Sequence, residues 1–206
     1  MNNETTTKQS GKQKWIIVLL MVIFLLPMSL SYFLFYFTSF GQGGGESSHG
    51  ILIEPPRQLP DLVLRTAGRG EQKKTPLHGK WSLVYLAQGH CDDACEENLY
   101  RMRQLRLAQG KHGTRVQRVL LNFGREELRL NDRLLQEYAG QLISPPQEPA
   151  GLLDQFRLRE QDQPLDKNRL YLVDPRGFLM MSYPADTEPG GIIDDMKRLL
   201  RYSGSG

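Results

Sequence analysis

Cys91 and Cys95 are the only two cysteines in a chain of 206 residues, and they stand in the run Gly89-His-Cys-Asp-Asp-Ala-Cys95. A thiolate attacks disulfides and binds soft metals, so a close pair can serve as a redox pair or a metal pair. It can also be a structural staple or two inert thiols. The count alone excludes a disulfide-dense scaffold. A staple closing about five residues would stabilise by only ~2 kcal/mol in the chain-entropy picture, against ~4.7 for a loop of 100.

The elements around the pair say more. Trp81 to Ala87 is a nearly continuous apolar run between Gly79 and Gly89, which predicts a strand buried on both faces. From Asp93 to Gln109 the spacing turns helical, with Cys95, Leu99, Met102 and Leu105 on one face and Gly110 at the expected C-terminal cap. The cysteines therefore fall on a strand-to-helix turn, a position that neither the staple nor the inert reading explains. Val116–Leu121 predicts a second strand, and Asp132–Ala139 a second helix capped by Asn131. Pro145, Pro146 and Pro149 interrupt the pattern, and the stretch to Asn168 is the least regular part of the domain. Leu170–Val173 and Phe178–Tyr183 predict a hairpin across a type I turn, Asp174-Pro-Arg-Gly177, and Gly191–Tyr202 a last helix. Two crossovers long enough for parallel strands and one hairpin give a thioredoxin-like α/β arrangement.

At the start of a helix, free N–H groups and the dipole favour a thiolate at Cys91, while Asp92 and Asp93 oppose it. Two thiolates suit Cu(I), whereas Cu(II) also requires nitrogen, for which the neighbouring His90 is the candidate. Against this, a histidine at a strand end is more often solvated than a ligand. Met180 and Met181 read as core, and His49, His78 and His112 have no partner at ligand spacing.

Trp15–Phe37 is 23 residues without a charge, longer than a signal-peptide core and followed by no small-residue cleavage site, and it predicts one transmembrane helix. Lys8, Lys12 and Lys14 precede it and the next basic residue is Arg57, so the N-terminus is expected in the cytoplasm and the bulk outside. The expected organisation is a cytoplasmic stub at 1–14, the span at 15–37, a Gly/Ser-rich tether at 38–56 and an outer domain at 57–206. The net charge of +3 falls to +2 from Ile51 onward, which leaves no electrostatic footprint for nucleic acid.

The segment Gly79–Cys95, with His90, Cys91, Asp93 and Cys95 at motif positions, resembles the Sco/SenC family of membrane-anchored thioredoxin-fold proteins. The Tyr171-Leu-Val-Asp-Pro175 hairpin and the Asp195–Leu200 helix are similar too. Two departures stand out. Asp92 and Glu96 replace the motif prolines, and Asp166 or a neighbour occupies the place of the family's third copper ligand, a histidine. The resemblance implies assembly of the copper centres of cytochrome c oxidase at the inner (cytoplasmic) membrane, with the C-terminal domain in the periplasm. The partner implied is an oxidase subunit or its copper chaperone. The leading expectation is a thiol-disulfide oxidoreductase with Cys91 and Cys95 as the redox pair. The alternatives are a Cu(I) carrier using Cys91, Cys95 and His90, and a non-catalytic assembly scaffold.

Overall fold

In a computed structural model of the chain, residues 9–37, 48–67, 72–74, 77–128, 130–147 and 151–203 are described. Stub residues 1–8 and the tether residues Gly41, Gly43, Gly44, Gly45 and Ser47 lie outside them. The chain divides into two units, Met1–Ser47 and Ser48–Gly206. The first contains α1 (Gln9–Phe37), one helix that continues through Pro27. Its apolar side chains between Trp15 and Phe33 are exposed wherever they are described. Among the described residues no helix is long and apolar enough to cross a membrane; the side chains at 9–13, 31 and 34–37 of α1 are not among them.

In the second unit β1 (Ile51–Gln58), β2 (Val63–Thr66), β3 (Gln72–Lys74), β4 (Trp81–Ala87), β5 (Val116–Asn122), β6 (Leu142–Ile143), β7 (Leu170–Val173) and β8 (Phe178–Tyr183) form one sheet, ordered β1-β8-β7-β4-β5-β6-β2-β3. Its helices are α2 (Asp93–Leu107), α3 (Asp132–Glu137) and α4 (Pro189–Tyr202). β4 is buried at every position, as its apolar run requires. Its residues divide between two cores. Leu83 and Tyr85 pack with Leu99 and Met102 of α2 and Ile192 and Met196 of α4, while Val84 and Leu86 pack with Leu62, Leu64 and Phe156 on the other face. Met181 is core and Met180 packs against it, as their strand position suggested.

β4, β5 and β6 run parallel, through α2 and then α3. The second crossover thus ends on the short β6 and not, as expected, on the Leu170 strand. β7 lies antiparallel to β4, and β8 to β7. The hairpin turn forms as the Asp-Pro-Arg-Gly sequence requires: the Gly177 N–H donates to Asp174 O at 3.0 Å, and Gly177 has φ +89°. α2 stops at Leu107 with Ala108 as its C-cap, so Gly110 does not cap it. Instead Gly110, with φ +54°, opens a 3₁₀ turn at Gly110–Arg115.

Residues 51–56, expected in the tether, belong instead to β1, paired antiparallel with β8. Pro55 and Pro56 lack an N–H, which confines β1 to the sheet edge and coincides with its register shift between Leu52 and Arg57. The chain just before β1 is held by Asp195, a buried carboxylate on α4. The His49 and Gly50 amides donate to Asp195 Oδ2 at 2.8 and 3.2 Å, and His49 Nδ1 lies 3.4 Å from Oδ1. Gly191 makes room for this contact, since a Cβ there would come within 2.5 Å of His49 Cγ. His49, which has no partner at ligand spacing in the sequence, is part of a latch.

Candidate functional site

β4 delivers the chain through Gln88 and Gly89, the latter at φ +80°, to His90 and Cys91, and α2 begins two residues later. Cys91 and Cys95 are bonded to each other, with their Cα atoms 5.1 Å apart. The two sulfurs are not equivalent. Cys95 is 1% exposed and packs into the α2 core, whereas Cys91 is half-buried at the rim of that core. Attack from outside can therefore reach Cys91 first.

Asp92 has a second role that its charge alone did not reveal. It is the N-cap of α2, and its Oδ1 accepts the Cys95 N–H at 2.9 Å. The carboxylate thus fixes the start of the helix on which the disulfide closes. Asp followed by a helical pattern was the available signal. Asp92→Asn keeps a capping acceptor and removes the charge. In the reduced chain it is expected to shift the pH profile of Cys91 alkylation by iodoacetamide downward, raising the rate at neutral pH by about threefold. An unchanged profile would remove Asp92 from the electrostatics of the pair.

Around Tyr85, near the end of β4, lies a polar cluster that sequence reasoning missed. The Tyr85 hydroxyl donates to Asn168 Oδ1 at 3.0 Å. Burial, with the Asp92 carboxylate adding to it, pushes Tyr85 up to about 12, although the Asn98 side chain pulls in the other direction. Tyr85 is therefore a neutral donor throughout the physiological range. Asn98 is buried one turn after Cys95 and donates to Ala94 O at 2.9 Å. Asn168, at φ +47°, follows the 3₁₀ turn Pro164–Lys167, which carries Asp166. The left-handed conformation that asparagine tolerates was the signal there.

His90 is exposed and Asp166 is exposed. Among the described residues no group of three or more His, Cys, Asp or Glu side chains could hold a metal ion. A Cu(II) centre needs nitrogen beside sulfur, and the exposed His90 is the nitrogen-bearing side chain next to the pair. Once reduced, the two sulfurs are soft donors of the kind Cu(I) takes. On α3, Arg133 forms a two-point ion pair with Glu96 of α2, at 2.6 and 2.7 Å, beside the buried Cys95.

A parallel β4-α2-β5 unit with a cysteine pair at the start of its helix defines a thioredoxin-like protein. The chain belongs to the family described as transmembrane-like, thioredoxin-like, C-terminal domain, whose profile matches residues 81–203. No curated protein matches it. Solved structures of Sco proteins share its fold. Yeast Sco1 is 20% identical with a TM-score of 0.53, covering 74% of this chain and 99% of that one. Arabidopsis thaliana ScoI, solved with copper bound, is 17% identical with a TM-score of 0.51, covering 70% and 99%. BsSco, described with a disulfide switch and as a member of the Sco family of cytochrome c oxidase assembly proteins, is 15% identical with a TM-score of 0.52, covering 72% and 96%.

Proposed function

We propose that this chain is a membrane-anchored, extracytoplasmic thiol-disulfide protein that assists assembly of the copper centre of cytochrome c oxidase, with Cys91 and Cys95 as its redox pair. The observation that carries the reading is the asymmetric disulfide at the start of α2, with one sulfur reachable and the other buried. The anchor is the charge-free stretch 15–37, all of it within α1, in the inner (cytoplasmic) membrane with the basic stub in the cytoplasm and the outer domain in the periplasm. The partner is an oxidase subunit or its copper chaperone.

The reaction balances without a cofactor. In the dithiol form the Cys91 thiolate attacks a partner disulfide, forming a mixed disulfide and releasing one partner thiolate. The Cys95 thiolate then attacks the Cys91 sulfur, releasing the second partner thiolate and closing the Cys91–Cys95 bond. Two electrons pass to the partner, and the two thiol protons end on its cysteines. An external dithiol restores the reduced chain. A periplasm that tends to oxidise thiols is where such a reductant has work to do.

A second reading takes Cu(I) as cargo on the same two thiolates, and the softness of the donor set favours it. The measurement that separates them is the dithiol reduction potential of the chain together with its Cu(I) and Cu(II) affinities, each repeated on Cys91→Ser. The redox reading expects reversible two-electron cycling that Cys91→Ser abolishes and no tight Cu(II) binding. Tight Cu(II) binding through a nitrogen ligand would defeat it. If Cys91→Ser left oxidase assembly intact in cells, both cysteine readings would fall and a scaffold would remain.

A further inference from the structure

We propose that Gly124, in the loop after β5, is a positioning residue for the Cys91–Cys95 pair, an inference that rests on the redox reading above. β4 and β5 end side by side, with Ala87 opposite Asn122. The Phe123 N–H donates to Ala87 O at 2.8 Å, so the two chains stay joined as they leave the sheet. One residue further they touch backbone to backbone. A Cβ at Gly124 would fall on the Gly89 amide nitrogen and lie 2.6 Å from Gly89 Cα. A side-chain tip could swing aside from such a contact, but backbone cannot.

Gly89 in turn sets the path to the pair. Its φ of +80° is open to glycine but strained for other residues, so the turn's path through Gly89 is tied to this residue, and Cys91 is two residues on. Gly124 is held from behind. Its N–H donates to Asn122 Oδ1 at 2.8 Å, and the fully buried Asn122 donates through Nδ2 to Glu126 O at 2.7 Å. The Asn122 backbone is tied on both sides: its N–H donates to Ser144 Oγ at 2.9 Å and its carbonyl accepts the Gln147 N–H at 2.8 Å. Residues 122–126 therefore form a hydrogen-bonded block, and Gly124 is the face of it on which the Gly89–Cys91 turn rests.

Reduction separates the two sulfurs. Cys95 is fixed in the α2 core, so the adjustment falls on the turn that carries Cys91. The space left by the missing Cβ at Gly124 thus sets where Cys91 stands in both redox forms. Any change there acts on the dithiol-disulfide equilibrium as well as on stability.

The test uses the full chain in detergent micelles, equilibrated in dithiothreitol redox buffers with free thiols counted by alkylation. Gly124→Ala is expected to change the dithiol-disulfide equilibrium constant by about fivefold or more. Gly113→Ala is the control, because its Cβ would also press on backbone, 2.9 Å from the Arg106 carbonyl oxygen, in the turn before β5. It is expected to lower the melting temperature and leave the equilibrium within twofold, roughly the scatter of such measurements. An unchanged equilibrium in Gly124→Ala, or an equal change in Gly113→Ala, would overturn the proposal. If Gly124→Ala does not fold, the wild-type chain still decides. Coupling is reciprocal, so reduction must shift the amide resonance of Gly124 together with that of Gly89, and a Gly124 amide that ignores reduction overturns the proposal. A wild-type pair that cannot be reversibly reduced would instead overturn the redox reading, and this proposal with it.

Discussion

Cys95→Ser is expected to leave the chain trapped on its partner as a mixed disulfide, and Cys91→Ser to form no such species. The difference follows from burial. Cys91 is half-buried at the rim of the core and open to an incoming disulfide, while Cys95 is 1% exposed and can only resolve what Cys91 has begun. In the intact chain the resolving sulfur is held in the same turn, where an intramolecular attacker has an effective concentration far above that of millimolar external thiol. Its removal should lengthen the life of the mixed disulfide by on the order of 100-fold or more. Non-reducing electrophoresis of cells expressing each variant after acid quenching, with the captured species identified by mass spectrometry, reads the result directly. Equal trapping by both variants, or trapping by Cys91→Ser alone, would reverse the assigned roles.

The second large effect is expected far from the cysteines. Phe156→Ala should destabilise the Ser48–Gly206 unit by about 3–5 kcal/mol, seen as a lower urea midpoint at unchanged slope. Phe156 is fully buried under the sheet in a short 3₁₀ turn, Leu153–Phe156, and its ring meets Tyr171 edge-on at 5.0 Å and 74°. Such a pair adds roughly 0.5–1.5 kcal/mol to the burial itself. Trp81 fluorescence in a Trp15→Phe background can follow the transition. A loss below about 1 kcal/mol would mean that this turn does not cover the sheet.

That turn lies in the stretch where the sequence was least legible, and the reason is physical. Residues 151–168 cover the second core with 3₁₀ turns and single anchors such as Phe156, so no periodicity of 3.6 or 2 is available to read. β4, β5, β7, β8 and α2 were legible because each has one continuous apolar run or face and meets the core directly. β6 was hidden because two paired residues make no pattern, and its absence from the reading misplaced the end of the second crossover. β1 was hidden because its consecutive prolines resemble a linker, although an edge strand tolerates them.

The site divides in the same way. The cysteine pair and its place at a strand-to-helix turn could be taken from sequence, because each is a matter of residue type and order. The Tyr85 to Asn168 hydrogen bond and the Gly124 contact could not, because each joins residues far apart in sequence through the folded backbone, whereas the Asp92 cap spans three residues and its signal went unread. Asp92 is instructive, since one carboxylate opposes a thiolate by charge and fixes the helix start by hydrogen bonding.

The latch on Asp195 has a mechanical side. The second unit begins at Ser48, and the next two amides are tied to a buried carboxylate in the middle of α4. Tension arriving along the chain from its N-terminal side meets those two bonds before it meets β1. An antiparallel edge strand pulled from its end would otherwise peel from β8 one pair at a time, starting with Ile51 and Ser182. Passing the load to α4, which packs into the main core through Ile192 and Met196, spreads it over the body of the domain and shields the sheet edge from unzipping.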